Sequence, residues 1–147
     1  MAFSNSPIFP ASLLSKVVQF TNTTSTSVPT SVISAQVNGC KIEQILVSNS
    51  DTVAHDVNIY INAGSTNYQI GTISIPLSSG ILNGIPAVSL FKAVNSTGST
   101  LLPLSLDANG DPYIYLDPQT SLYMQPGSST AVTSGKTINI VAIAGAF

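Results

Sequence analysis

The stretch Asp56-Val57-Asn58-Ile59-Tyr60-Ile61-Asn62 alternates polar and apolar residues without a break. A strand turns successive side chains to opposite faces, so Val57, Ile59 and Ile61 point one way while Asp56, Asn58, Tyr60 and Asn62 point the other. One face suits a core and the other suits water or a neighbour, which is the pattern of a half-buried antiparallel strand. Apolar runs at the helical period are nearly absent, and Gly or Pro recurs too often for long helices.

Reading outward from this strand extends the same pattern. On its N-terminal side, Ser31 to Val37 and Lys41 to Ser48 flank Asn38-Gly39, a dipeptide suited to a type I′ turn, and the spacing predicts a hairpin. On its C-terminal side, past the turn Ala63-Gly64-Ser65-Thr66, the parity changes. Tyr68 and Ile70 share one face and Ile73 and Ile75 the other, so a bulge at Gly71 would restore a single apolar face. Pro76 to Pro86 reads as a loop carrying Ile81, Leu82 and Ile85. Further strands are expected over Ala87 to Val94, Leu101 to Leu106, Tyr113 to Leu116 and Ser121 to Gln125. Lys136 to Phe147 begins with Ile138 and Ile140 on one face and ends apolar on both, which places it centrally in a sandwich or in an interface. Short strands at this spacing, separated by turn residues, predict an all-β antiparallel β-sandwich or jelly-roll-like fold. Residues 1–15 follow neither period, and Pro7 and Pro10 keep their predecessors extended. They read as an extended N-terminal arm ahead of a single domain, 16–147, and the arm is either a frayed end or a strap on a neighbouring subunit.

Composition narrows the chemistry. The 147 residues include four lysines, no arginine, one histidine, one cysteine and no tryptophan, against twenty-two serines and fourteen threonines. Catalysis, metal binding and phosphate recognition draw on His, Cys, Arg and clustered carboxylates, so the chain is expected to work through its surface, with no cofactor. Charged residues make up 7% and the net charge is −2. Little repulsion keeps copies apart, which points to an assembly in which neighbours cover uncharged surface. Four scattered lysines form no basic stripe for nucleic acid. No apolar run reaches the length of a membrane span, and the first residues lack the basic start of a secretory signal.

The polar motifs read as architecture. Asp107-Ala108-Asn109-Gly110-Asp111 opens like a calcium loop, but Pro112 and Pro118 stand where such a loop needs Gly and Glu. A turn, with Asp107 bonding nearby amides, explains it better. His55, between Asp51 and Asp56, has the elements of an oriented base, yet beside a turn it reads as a solvated surface residue. Cys40 reads as an inert small hydrophobe, and a Cys40/His55 nucleophile pair is disfavoured. No phosphate loop, paired zinc-ligand spacing or nucleophile elbow is present. Tyr60, Tyr113, Tyr115 and Tyr123 alternate with Ile, Leu or Met, which turns them away from the expected core and makes them interface candidates unless a second sheet covers them. Phe3, Ile8 and Phe9 of the arm and Ile81, Leu82 and Ile85 of the loop join them as candidate contact residues.

Lys41-Ile42-Glu43-Gln44-Ile45-Leu46-Val47-Ser48-Asn49-Ser50-Asp51, the strand Asp56 to Ile61, the turn and strand Asp107 to Ile114, and Ser134-Gly135-Lys136-Thr137-Ile138-Asn139-Ile140-Val141-Ala142 together resemble small virion proteins of tailed bacteriophages. Among these are capsid decoration, or cement, proteins with β-sandwich or jelly-roll folds. The likeness runs from about residue 31 onward and rests on turns and strands. It implies a non-enzymatic, many-copy protein on the capsid surface of a virion, made in the cytoplasm of the host bacterium. Its partners would be the major capsid protein and its own copies, as a trimer or dimer. The alternatives are a tail or fibre component that binds a host receptor or glycan, and a hydrolase using His55 with Asp51 or Asp56.

Overall fold

A computed structural model describes residues 10–94, 97–99, 101–128 and 131–147. Among the described residues ten strands follow in chain order: β1 (Ser12–Phe20), β2 (Thr30–Ile33), β3 (Cys40–Asn49), β4 (His55–Ala63), β5 (Thr66–Ile75), β6 (Val88–Ser89), β7 (Ser105–Leu106), β8 (Pro112–Leu116), β9 (Thr120–Pro126) and β10 (Ile138–Ala146). A 3-10 turn spans Leu90–Lys92. Sheet A runs β1-β10-β3-β8-β7, with β6 beside β3, and sheet B runs β2-β9-β4-β5. All pairings are antiparallel.

The pairing has a nested logic. β4 pairs with β5, β3 with β8, β2 with β9 and β1 with β10. The chain is therefore one long hairpin, folded at Ala63–Thr66, whose successive rungs are rolled alternately into the two sheets. That is the jelly roll, an antiparallel sandwich built from Greek-key connections. The core lies between the sheets. β4 contributes Val57 and Ile59, β5 Ile73 and Ile75, β9 Leu122 and Met124, β3 Ile42, Ile45 and Val47, and β10 Ile138 and Ile140, all buried.

The β4 pattern holds at Val57 and Ile59, which are buried, while Ile61 is half-buried against the core, and the parity change in β5 has its expected cause. Ile59 pairs with Gly71 and Tyr60 with Gln69, so Ile70 is the extra residue of a bulge beside Gly71. β10 is central, between β1 and β3. Three expectations change. Asn38-Gly39 does form a turn, closed by the Gly39 N–H to the Gln36 carbonyl at 3.1 Å, with Gly39 at φ +83°. It joins β2 of sheet B to β3 of sheet A and so makes no hairpin. A side chain at Gly39 would meet the Leu116 carbonyl and the Tyr115 hydroxyl, so both the left-handed backbone and the space demand glycine. Ala87 to Val94 supplies only β6 before the 3-10 turn, and Leu101 to Leu106 supplies only β7. The third change is at the N-terminus, where Ser12 to Ser15, assigned to the arm, are extended but paired to β10 within β1. Residues 1–9 lie outside the described residues, and Phe3, Ile8 and Phe9 with them.

Candidate interaction surface

The outer face of sheet A is assembled from side chains that alternate away from the core. On β1 these are Leu13, Ser15, Val17 and Gln19, of which Leu13 and Val17, exposed at 84% and 69%, pair with Gly145 and Val141 of β10. Ile143 stands between those two rungs and is also exposed, and Leu46 of β3 lies opposite Val141, half-buried. The result is a mostly apolar stripe across three strands at the β1 edge of the sheet, interrupted by Ser15 opposite Ile143. Pro10 covers its far end by packing on the outer side of Gly145.

Further across the same face the register shifts. Gln44 pairs with Ile143 while Ile42 pairs with Ala144, which leaves Glu43 as a bulged residue. The bulge lets Lys41, Glu43 and Gln44 all avoid the core. With Ser89, Phe91, Lys92, Asp107, Asp111, Pro112 and Ile143 they line a hollow of about 340 Å³. Five of the ten charged side chains in the chain gather here. Lys41 Nζ lies 3.3 Å from Glu43 and 3.7 Å from Asp107, and 4.9 Å from the centre of the Tyr113 ring. Asp107 accepts the Asn109 and Asp111 amides, as its place at the head of a turn predicts. The Asp111 amide, opposed in part by desolvation and aided by Asn109 and Lys41, holds the Asp107 carboxyl below the usual carboxylate range. Tyr115 is exposed and its ring stacks at a tilt on Phe147, with centroids 5.9 Å apart.

The loop between β5 and β6 rises at the opposite end of this face. Gly80 packs on Ser48, whose side chain follows Leu46 on the outer side of β3. Leu77, Ile81 and Leu82 are exposed on the loop, while Ile85 is half-buried and its carbonyl accepts the Gly80 amide. A buried polar clasp fixes the loop. The Ser78 amide donates to the Asp51 carbonyl at 2.8 Å, the Asn49 amide to the Ser79 carbonyl at 2.9 Å, and Asn49 Nδ2 to the Pro76 carbonyl at 3.1 Å. Ser78 is held at φ +53°, a left-handed conformation that a non-glycine residue keeps only when its surroundings impose it.

Asp51 is the centre of that clasp. It is wholly buried, and Oδ2 accepts from His55 Nε2 at 2.9 Å and from the Thr133 amide at 2.8 Å, while Oδ1 accepts the Thr52 amide at 2.7 Å. Burial alone pushes this carboxyl up. The Thr133 amide, the His55 ring and the remaining donors outweigh that and hold it well below the usual carboxylate range. The carboxylate accepts only, so His55 Nε2 carries the hydrogen of their bond. His55 is thus buried, against the expectation of a solvated ring. The signal was present, because His55 continues the parity of Val57, Ile59 and Ile61 one step back. Cys40 is also buried, which raises its thiol, and it sits at the other end of β3, nine residues or about 30 Å of strand from Asn49. Cys40 and His55 do not form a pair.

The structure therefore divides the candidate contact residues. Ile81 and Leu82 share one loop, and Tyr113 and Tyr115 share the outer side of β8. Tyr60 and Tyr123 face each other across β4 and β9 on sheet B, half-buried. The apolar stripe on β1 and β10 and the bulge at Glu43 were not singled out from the sequence. Leu13 and Val17 are four residues apart on a strand interrupted by Lys16, and no local alternation announces which side is out. Among the described residues, no group of three or more His, Cys, Asp or Glu side chains is placed to hold a metal ion. No protein-family model, curated protein or solved structure matches the chain.

Proposed function

We propose that this is a structural virion protein that decorates a phage capsid and stabilises it by bridging neighbouring subunits of the major capsid protein. The observation that carries the reading is the outer face of sheet A. A chain with ten charged residues places five of them around one hollow, on a face that also presents Tyr113 and Tyr115 and the exposed Leu13, Val17 and Ile143. Tyrosine supplies large contact area at modest entropy cost, and a few well-placed charges set the register and reject wrong partners. Bonds of this kind are individually weak, but a shell repeats them by symmetry, so a bridging protein gains strength through multivalency. The resemblance of the strand and turn order to phage decoration proteins supports the same reading.

The test is to add purified protein to expanded, undecorated heads of the phage that encodes it and to locate the bound copies by electron cryomicroscopy. Density over the whole shell at symmetry-related sites is the expected result. Tyr115→Ala combined with Lys41→Ala should reduce occupancy at least tenfold while the far-ultraviolet circular dichroism stays that of a β protein. A few copies confined to the tail would overturn the reading in favour of receptor binding.

A further inference from the structure

Three departures from regular sandwich geometry meet around one pocket. The bulge in β5 makes Ile70 the extra residue, out of step with its strand and only half-buried. Beside it, Gly71 leaves room that Leu102 fills, since a Cβ at Gly71 would lie 2.6 Å from Leu102 Cδ2, and Leu102 is buried. That anchor brings the next residue, Pro103, to the same place. The third departure is the turn from β8 to β9. The Thr120 amide donates to the Asp117 carbonyl at 3.0 Å, Pro118 comes next, and Gln119 is held at φ +74°, the position that a type II turn usually gives to glycine. Bulges and left-handed non-glycine residues gather at functional sites, because the surroundings must impose them.

The pocket has a volume of about 170 Å³ and shares no residue with the charged hollow. Its apolar lining is Ile61 and Ile70 of sheet B, Ile114 and Leu116 of β8, and Pro103. Ile114 and Leu116 are buried, whereas Asp117, which also lines it, is exposed. Asp117 sets an unpaired charge beside this apolar space. Its backbone carbonyl takes both the Thr120 amide and the Thr120 hydroxyl, while its carboxylate has no partner among the described residues. No lysine lines the pocket. We infer that the pocket binds a primary ammonium group carried on a compact apolar body, the body lying among Ile61, Ile70 and Leu116 and the ammonium on the Asp117 carboxylate. Size and charge each narrow the class. A cavity of about 150 Å³ holds one benzene ring, so this one accepts a single ring or the four-carbon stem of a lysine. Apolar walls weaken the screening around Asp117, which strengthens its attraction for a cation and makes an anion costly to bring in. A free amine and a lysine side chain of a protein present the same chemistry.

The experiment titrates the isotope-labelled full chain with benzylammonium and follows the backbone amides by nuclear magnetic resonance, with benzyl alcohol as the neutral ligand of the same shape. Benzylammonium should give saturable shifts centred on Ile61, Ile70, Leu116 and Asp117, with a dissociation constant of about 1 mM. Benzyl alcohol should bind about tenfold more weakly, since a charge-assisted bond to the carboxylate is replaced by a neutral one. Asp117→Asn alters one exposed side chain, should leave the circular dichroism unchanged, and should bring the two ligands within about twofold of each other. Shifts that fail to saturate or that scatter over the surface, equal binding of the alcohol, or a preference that survives in Asp117→Asn would each overturn the site. A lysine blocked at both its amino and carboxyl ends then separates the sources. Binding of the blocked lysine at the same amides identifies a protein lysine as the ligand, and its failure where benzylammonium binds identifies a free amine, the site standing in both cases. The pocket and the capsid reading fail separately, because heads can be decorated through the hollow whether or not an amine binds here.

Discussion

On sheet B the side chains that face away from the core bond to one another. Gln69 Nε2 donates to Thr72 Oγ1 at 2.8 Å, Thr72 Oγ1 donates to Asn58 Oδ1 at 2.7 Å, and Asn62 Nδ2 donates to Asn67 Oδ1 at 2.8 Å. On sheet A the corresponding positions of β1 and β10 make one such bond, Gln19 Nε2 to Asn139 Oδ1 at 2.8 Å, and otherwise include Leu13, Val17, Val141 and Ile143, which have nothing of the kind to make. Both sheets present their inner faces to the same core, and both use the same alternation to do so. What differs is the outer half of the alternation. Sheet B spends it on amides and hydroxyls that satisfy each other and water, so it can stand alone in solution. Sheet A leaves apolar area and a knot of charge for something else to cover.

The comparison breaks first if the inner faces are not equivalent. Ile59→Ala on sheet B and Ile140→Ala on sheet A should each cost about 3–4 kcal/mol in urea unfolding, while Val17→Ala on the outer face changes stability by less than about 0.5 kcal/mol. A large loss at Val17 in the isolated chain would mean that the stripe is already core.

The clasp end ranks next. Asp51→Ala strands three donors in the interior and should cost about 3 kcal/mol. The native carboxyl titrates below its unfolded value near 3.8, so the folded state binds fewer protons than the unfolded one. Its contribution is then complete above about pH 5 and is lost as the pH falls toward the native value. Acid titration of unfolding should therefore be steeper in the wild type than in Asp51→Asn, while Asp107→Asn leaves most of the slope in place.

Smaller effects sharpen the difference between the outer faces. Thr72→Val removes a donor and an acceptor from the sheet B network and should cost about 0.5–1 kcal/mol without changing the sedimentation behaviour. Lys41→Met in the hollow of sheet A should cost under about 1 kcal/mol, because its ion pairs remain open to solvent, and the loss should shrink further in 1 M salt. Its effect on binding to heads should be the larger one.

Much of the sheet structure was legible because it is local. Alternation in β4, the parity change at Gly71 and the turn residues at Ala63–Thr66 and Asp107–Pro112 each act over a few residues, and each appears where it was expected. β1 was less legible. Its core positions Leu14, Val18 and Phe20 are interrupted by Lys16, which stays exposed only because β1 is an edge strand, and edge status is a property of the sheet. His55 was misplaced for a related reason. A ring beside a turn is ordinarily wet, but this one is buried and bonded to Asp51, a carboxylate that also accepts the Thr133 amide from some eighty positions away.

The sequence by itself determined that this chain is a stack of short antiparallel strands with few reactive groups, since side-chain period, turn chemistry and composition are properties of neighbours along the backbone. Only the tertiary structure decided which strands share a sheet, that Asn38-Gly39 crosses between sheets, and that Asp51, His55 and Ser78 meet. The reason is that the partners are set by closure of one hairpin rolled from β1 to β10, and the same alternating pattern would fit many other pairings until the core, filled from both sheets at once, selects one.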